Sequence, residues 1–205
     1  MGGEDKMLKE YNETYAKIMW LYTKLITGIN SRSAEEIEKL YLEYLKESIK
    51  LSTNKPKFEE NTKKYKHTNC YGYALEYSCP DIFMDLYEHI NIDSFAFNLG
   101  FTSDEIYNRY EFEYNYSAMM TDFENFGIRA FNSSIDSKNK YGGYKIAIYK
   151  SFGDFHLLRQ NIDGTWSHKL GYSNIIERVE PLEYIEGEYE RVNVLEIVKP
   201  TINRR

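Results

Sequence analysis

His156-Leu157-Leu158-Arg159-Gln160-Asn161-Ile162-Asp163-Gly164-Thr165-Trp166-Ser167-His168 reads as two short strands joined by a turn, and this reading decides the fold class. Asp163-Gly164 is a turn dipeptide. Gly164 suits the left-handed position of a bulge that closes a three-residue loop, Ile162-Asp163-Gly164. In that register Asn161 faces Thr165 and Leu158 faces His168. His156 and His168 then share one face as diagonal neighbours, about 7 Å apart at the backbone. A two-residue loop would put them on opposite faces, so the inference hangs on register.

Strand character extends outward from this hairpin. Tyr144-Lys145-Ile146-Ala147-Ile148-Tyr149 alternates and is rich in β-formers, and Val192-Asn193-Val194-Leu195-Glu196-Ile197-Val198 is a later strand. The first half is helical instead. Over residues 5–28, Leu8, Tyr11, Tyr15, Ile18, Tyr22 and Leu25 recur at three- and four-residue steps, and Gly28 supplies a stop. Ser33-Ala34-Glu35-Glu36 is a capping box that opens a second helix, with Ile37, Leu40, Tyr41, Tyr44 and Leu45 as its apolar stripe. Residues 52–66 are polar and lysine-rich around Pro56, the pattern of a surface linker. A short helix is expected from Cys70 to about Tyr77, ended by Pro80, with further helices over 81–91, 103–110 and 116–126. Helices first and strands later predict an α+β fold with an antiparallel sheet. Residues 1–60 form a helical hairpin and residues 61–205 a second domain.

Composition narrows the function. The 205 residues carry a formal net charge of −6 and no dense basic block, which argues against a nucleic-acid partner. No apolar run approaches the ~20 residues of a membrane span. The start, Met1-Gly2-Gly3-Glu4-Asp5-Lys6, lacks the basic and apolar pattern of a secretory signal. Two cysteines, Cys70 and Cys79, do not make a disulfide scaffold. Free thiols suit a cytoplasmic protein, and the helical hairpin offers a surface for a protein partner.

The chemistry centres on Cys70. A helix N-terminus favours a thiolate, because its unpaired N–H groups and dipole favour negative charge. Thr68 or Asn69 can cap the helix, which puts Cys70 in the first turn. Gly72 keeps that turn slim enough for a substrate backbone, and the first-turn N–H groups could stabilise an oxyanion. The competing reading is a buried structural cysteine. His156 and His168 on one sheet face suit an imidazole base with a second imidazole to orient it.

Asn69-Cys70-Tyr71-Gly72-Tyr73-Ala74 resembles the nucleophile motif of NlpC-type peptidases, where Asp-Cys-Ser-Gly-aromatic opens the catalytic helix. It is also similar to the Cys-Thr-x-Tyr-Ala start of CHAP amidases. The order His156, Asp163-Gly164, His168 resembles the distal NlpC-type segment. The resemblance covers residues 67–198 and implies a papain-like core, with the nucleophile helix packed on an antiparallel sheet. It implies Cys70 as nucleophile, His156 as general base and His168 as the orienting third member, acting on a peptide or amide without cofactor or metal. Asn69 and Tyr71 stand where the family has Asp and Ser. With Trp166, which also reads as hairpin packing, they are the candidate substrate contacts. The stretch between Cys70 and His156 is longer than in compact family members.

Two other readings stay open. His67, Cys70, His156 and His168 have the ligand types of a tetrahedral zinc site. The fold could also serve as a non-catalytic binding module with an idle thiol.

Overall fold

The computed structural model of the chain describes residues 2–27, 32–59, 62–78, 99–100, 102, 112–151, 154–171, 173, 175–181 and 189–202. Two long helices come first, α1 (Gly2–Thr27) and α2 (Ala34–Lys50). A 3-10 turn, Thr62–Tyr65, precedes the short α3 (Cys70–Ala74), and α4 (Phe112–Asn125) follows. Six strands complete the order: β1 (Arg129–Asn132), β2 (Tyr144–Ser151), β3 (Asp154–Gln160), β4 (Trp166–Lys169), β5 (Ile176–Val179) and β6 (Glu190–Val198). They form one antiparallel sheet in the order β1-β6-β2-β3-β4-β5. The expected α+β class with an antiparallel sheet is therefore the observed one.

Alternation along β2 builds two apolar layers. Tyr144, Ile146 and Ile148 enter the main core with Leu157 and Phe155 of β3, and the helices cover this face. Ala147 and Tyr149 point the other way, into a smaller cluster with Leu158, Trp166 and Val194. The helical hairpin forms as expected, and both halves of the Ser33–Glu36 capping box are made. Its inner stripe, including Leu21, Leu25, Ile37, Tyr41 and Leu45, lies in the same core as Tyr71 and Leu157. The Tyr41 and Tyr77 hydroxyls hydrogen-bond at 2.6 Å. The chain thus divides near residue 60 by sequence, but its core is continuous.

The segment expected to be a surface linker is a strap bonded across the fold. Pro56 is buried, and its carbonyl accepts the Ile162 N–H at 2.7 Å. The Asn54 carboxamide bonds both the N–H and the carbonyl of Lys199, at 2.8 and 2.9 Å. A polar sequence hid this role because the partners of the Pro56 carbonyl and the Asn54 carboxamide lie more than a hundred residues away, which composition does not report.

The decisive turn has the expected register. Arg159 pairs with Ser167 and Gln160 with Trp166. The Asn161 N–H reaches the Thr165 carbonyl at 2.7 Å, and Gly164 has φ +84. β1 and β5 were not foreseen. The late strand β6 lies between β1 and β2, where Gly143 runs so close to it that a Cβ would fall 1.9 Å from the Ile197 carbonyl oxygen. α3 stops at Ala74, and Glu76 follows with φ +63, so Pro80 is not its terminator. The helices expected over 81–91 and 103–110, with Cys79 and Pro80, lie outside the described residues. No helix among the described residues is long and apolar enough to cross a membrane.

Candidate active site

Cys70 is the first residue of α3. The Asn69 carboxamide oxygen caps the helix by accepting the Gly72 N–H at 2.9 Å. α3 is fixed on the hairpin strands by the Tyr73 hydroxyl, 2.8 Å from Ser167 Oγ, and by Arg159, which donates to the Tyr73 carbonyl at 3.1 Å. The Cys70 sulfur rests on β3, 3.9 Å from the Phe155 carbonyl oxygen. Burial pushes the thiol up to about 11, against the opposing pull of the Leu157 N–H. The expectation of a lowered thiol pKa is thereby reversed. α3 has five residues, so little dipole accumulates at its start, and desolvation of the thiolate outweighs it.

The two histidines meet directly. His156 Nε2 lies 2.9 Å from His168 Nδ1, with the rings nearly perpendicular at 87°. On its far side, His168 Nε2 lies 3.0 Å from Glu177 Oε1. His168 and Glu177 are directly paired across β4 and β5. The result is a linear chain His156–His168–Glu177 that runs from a buried ring to a carboxylate with 52% of its side chain exposed. Burial, with His168 adding to it, pushes His156 down to about 3. His168 is also lowered by burial, against the opposing effect of Glu177. Glu177 was missed at the level of sequence. Its only signal was the short alternation Ile176-Glu177-Arg178-Val179, which places Glu177 on one face of a strand.

The shared face is as expected, but its relation to α3 is not. Phe155 and Leu157 point into the main core beside Tyr71 and Ala74 of α3. Alternation along β3 therefore puts His156 with Leu158 on the other face. The Cys70 sulfur meets the strand at its backbone, and no hydrogen bond joins it to either imidazole among the described residues. The face under α3 carries Arg159, Ser167 and Lys169 instead. The Lys169 ammonium donates to the Gly171 and Ser173 carbonyls, and burial lowers it to about 8, with Cys70 acting in the opposite direction.

The expected substrate contacts have structural duties. Asn69 caps α3. Tyr71 is 2% exposed and donates from its hydroxyl to Asp122 at 3.0 Å. Trp166 is 5% exposed within the smaller apolar cluster. Both rings are buried. Gly72 is slim for packing, not for substrate, since a Cβ there would lie 3.1 Å from Thr68 Cβ. The zinc reading fails on geometry. Among the described residues no three His, Cys, Asp or Glu side chains gather around a common point. Two cavities, of about 300 Å³ beside Tyr44, Glu76 and Tyr77 and about 450 Å³ between Pro56, Asn139 and Asn161, are lined by neither Cys70 nor the histidines. No known protein family, curated protein or solved structure matches the chain.

Proposed function

We propose that the chain is a thiol hydrolase that cleaves an amide or peptide bond on a papain-like core, with Cys70 as nucleophile, His156 as base and His168 as the residue that orients it. One observation carries this reading. The sulfur of a helix-opening cysteine lies against the peptide groups that flank His156, whose ring is already held by His168.

In the resting chain both partners are neutral, the thiol and the imidazole each held so by burial. The His156 ring faces away from the sulfur in the resting chain, so the reaction requires the imidazole to come round to the α3 side. The thiol proton then passes to His156 as the sulfur attacks the carbonyl carbon, and negative charge moves to the carbonyl oxygen. The C–N bond breaks, the amine leaves with the proton returned by His156, and a thioester remains on Cys70. Water, deprotonated by the same imidazole, releases the acid and restores the thiol. A reduced thiol and an acidic chain suit an amide substrate in a reducing compartment.

The test is turnover of a panel of peptidyl and N-acyl aminomethylcoumarin amides, with intact-mass analysis for an acyl adduct on Cys70. Release of coumarin by the parent chain and its loss in Cys70→Ala are expected. Equal release by both, or neither turnover nor adduct in the parent, overturns the reading. A binding module on the same fold is the second reading. It is favoured by the raised thiol pKa and by the absence of a sulfur–imidazole hydrogen bond among the described residues.

A further inference from the structure

We infer that Glu177 is a positioning residue that fixes the tautomer of both histidines and thereby makes Nδ1 of His156 the basic nitrogen of the site. The inference rests on the hydrolase reading for its catalytic meaning, but not for its geometry.

A glutamate at neutral pH offers only acceptor oxygens. The nitrogen 3.0 Å from Glu177 Oε1, His168 Nε2, must therefore carry the hydrogen. A neutral imidazole has one N–H and one lone pair, so His168 Nδ1 carries the lone pair. That lone pair faces His156 Nε2 at 2.9 Å, and the second ring must donate in turn. His156 then holds its hydrogen on Nε2 and its lone pair on Nδ1. Each assignment follows from the one before it, and the carboxylate is the only member whose role is set by its own chemistry.

The opposite arrangement is penalised at one place. If His168 donated from Nδ1, its Nε2 lone pair would face the Glu177 oxygen, two acceptors at hydrogen-bond distance. The register of β4 and β5 fixes this contact, because His168 and Glu177 are directly opposed. Both rings are buried, His168 at 1% exposure, so water does not readily replace the carboxylate as the reference acceptor. Glu177 itself stands at the solvent end and is open to substitution with little effect on packing.

Nitrogen-15 NMR of the full chain, labelled at histidine, reads the tautomers directly at neutral pH. Both His156 and His168 are expected as the Nε2–H form in the parent. Glu177→Ala should turn His168 into a mixture of tautomers, and Glu177→Gln, whose amide oxygen can still accept, should restore the Nε2–H form. A parent spectrum with the hydrogen on His168 Nδ1, or a spectrum unchanged in Glu177→Ala, overturns the inference. In the coumarin-amide assay kcat should fall about ten- to a hundredfold in Glu177→Ala with KM little changed, a loss typical of removing a carboxylate that orients a functional histidine. Full kcat in Glu177→Ala would overturn the positioning role. Absence of turnover in the parent would remove the hydrolase reading while the tautomer result stood on the spectra.

Discussion

The Cys70 sulfur lies on the backbone at His156, 3.9 Å from the carbonyl oxygen of Phe155, while the His156 ring turns to His168 on the other face of the sheet. The two residues are neighbours through the strand and not through their side chains. This relationship sets what each substitution should do.

Cys70→Ala should abolish amide hydrolysis while leaving the fold intact, because the thiol contributes chemistry and, to the packing, only weak contacts with the backbone of Phe155, Leu157 and Tyr71. His156→Ala should be as severe. His168→Gln should retain part of the activity, since an amide can still accept the His156 N–H. Steady-state rates on any active coumarin amide check all three, and a fully active His156→Ala refutes the assignment of the base.

Alkylation of Cys70 should be slow near neutrality and should rise about tenfold per pH unit up to about 11, because burial keeps the proton on sulfur. Iodoacetamide labelling followed by mass spectrometry in a Cys79→Ser background isolates this thiol. Rapid labelling at pH 6 would show a thiolate that the resting geometry does not support.

Stability should decline as pH falls from about 6.5 to about 3. In the unfolded chain His156 takes up a proton near 6.5, whereas in the folded chain it stays neutral down to about 3. The unfolded state binds more protons throughout that window, so stability is lost on acidification and is unaffected by this group above it. His168, also lowered, acts with the same sign. Urea midpoints against pH should show this slope in the parent and a shallower one in His156→Leu.

Arg159→Ala should cost about 3–5 kcal/mol, the range for removing one partner of a buried ion pair. Arg159 is fully buried, pairs with Glu76 and also donates to the Lys57 carbonyl at 3.2 Å. Burial alone would raise the Glu76 pKa, but Arg159 and Lys64 beside it hold the carboxyl below its usual range. The double variant Arg159→Met with Glu76→Gln should lose less than Arg159→Ala, because it leaves no unpaired charge. Denaturant titrations of the set give the comparison.

Gly164→Val should cost about 1–2 kcal/mol through its φ of +84, since beyond its chain neighbours no atom of the described residues lies within 4 Å of the new Cβ. Gly164→Asn should cost less. If the turn also sets the alignment of His156 and His168, the valine variant should lose more activity than its stability predicts. Parallel melting curves and rates measure the two effects.

The sheet class, the hairpin register and the capping box could be read from residues because each is decided locally. Gly164 at positive φ and Ser33 with Glu36 act within their own turns. What could not be read was which sheet face α3 covers. Alternation separates Phe155 and Leu157 from His156 and Leu158, but only tertiary packing assigns the first pair to the helix side. Tyr71 and Trp166 carry rings that suit either a core or a ligand, and burial chose the core. Glu177 gains its place from a strand partner nine residues away in sequence, a pairing that a four-residue strand barely announces.

The placement of β6 has a consequence for how the chain is made. Among the described residues β1 pairs only with β6, and β2 uses β6 for one of its two edges. Until residues 190–198 emerge during synthesis, β1 lacks its partner among the described strands, and β2 presents a row of unpaired amides beside Ile146 and Ile148. Such an edge invites pairing with another nascent chain. Closure of the sheet therefore waits on contacts distant in sequence.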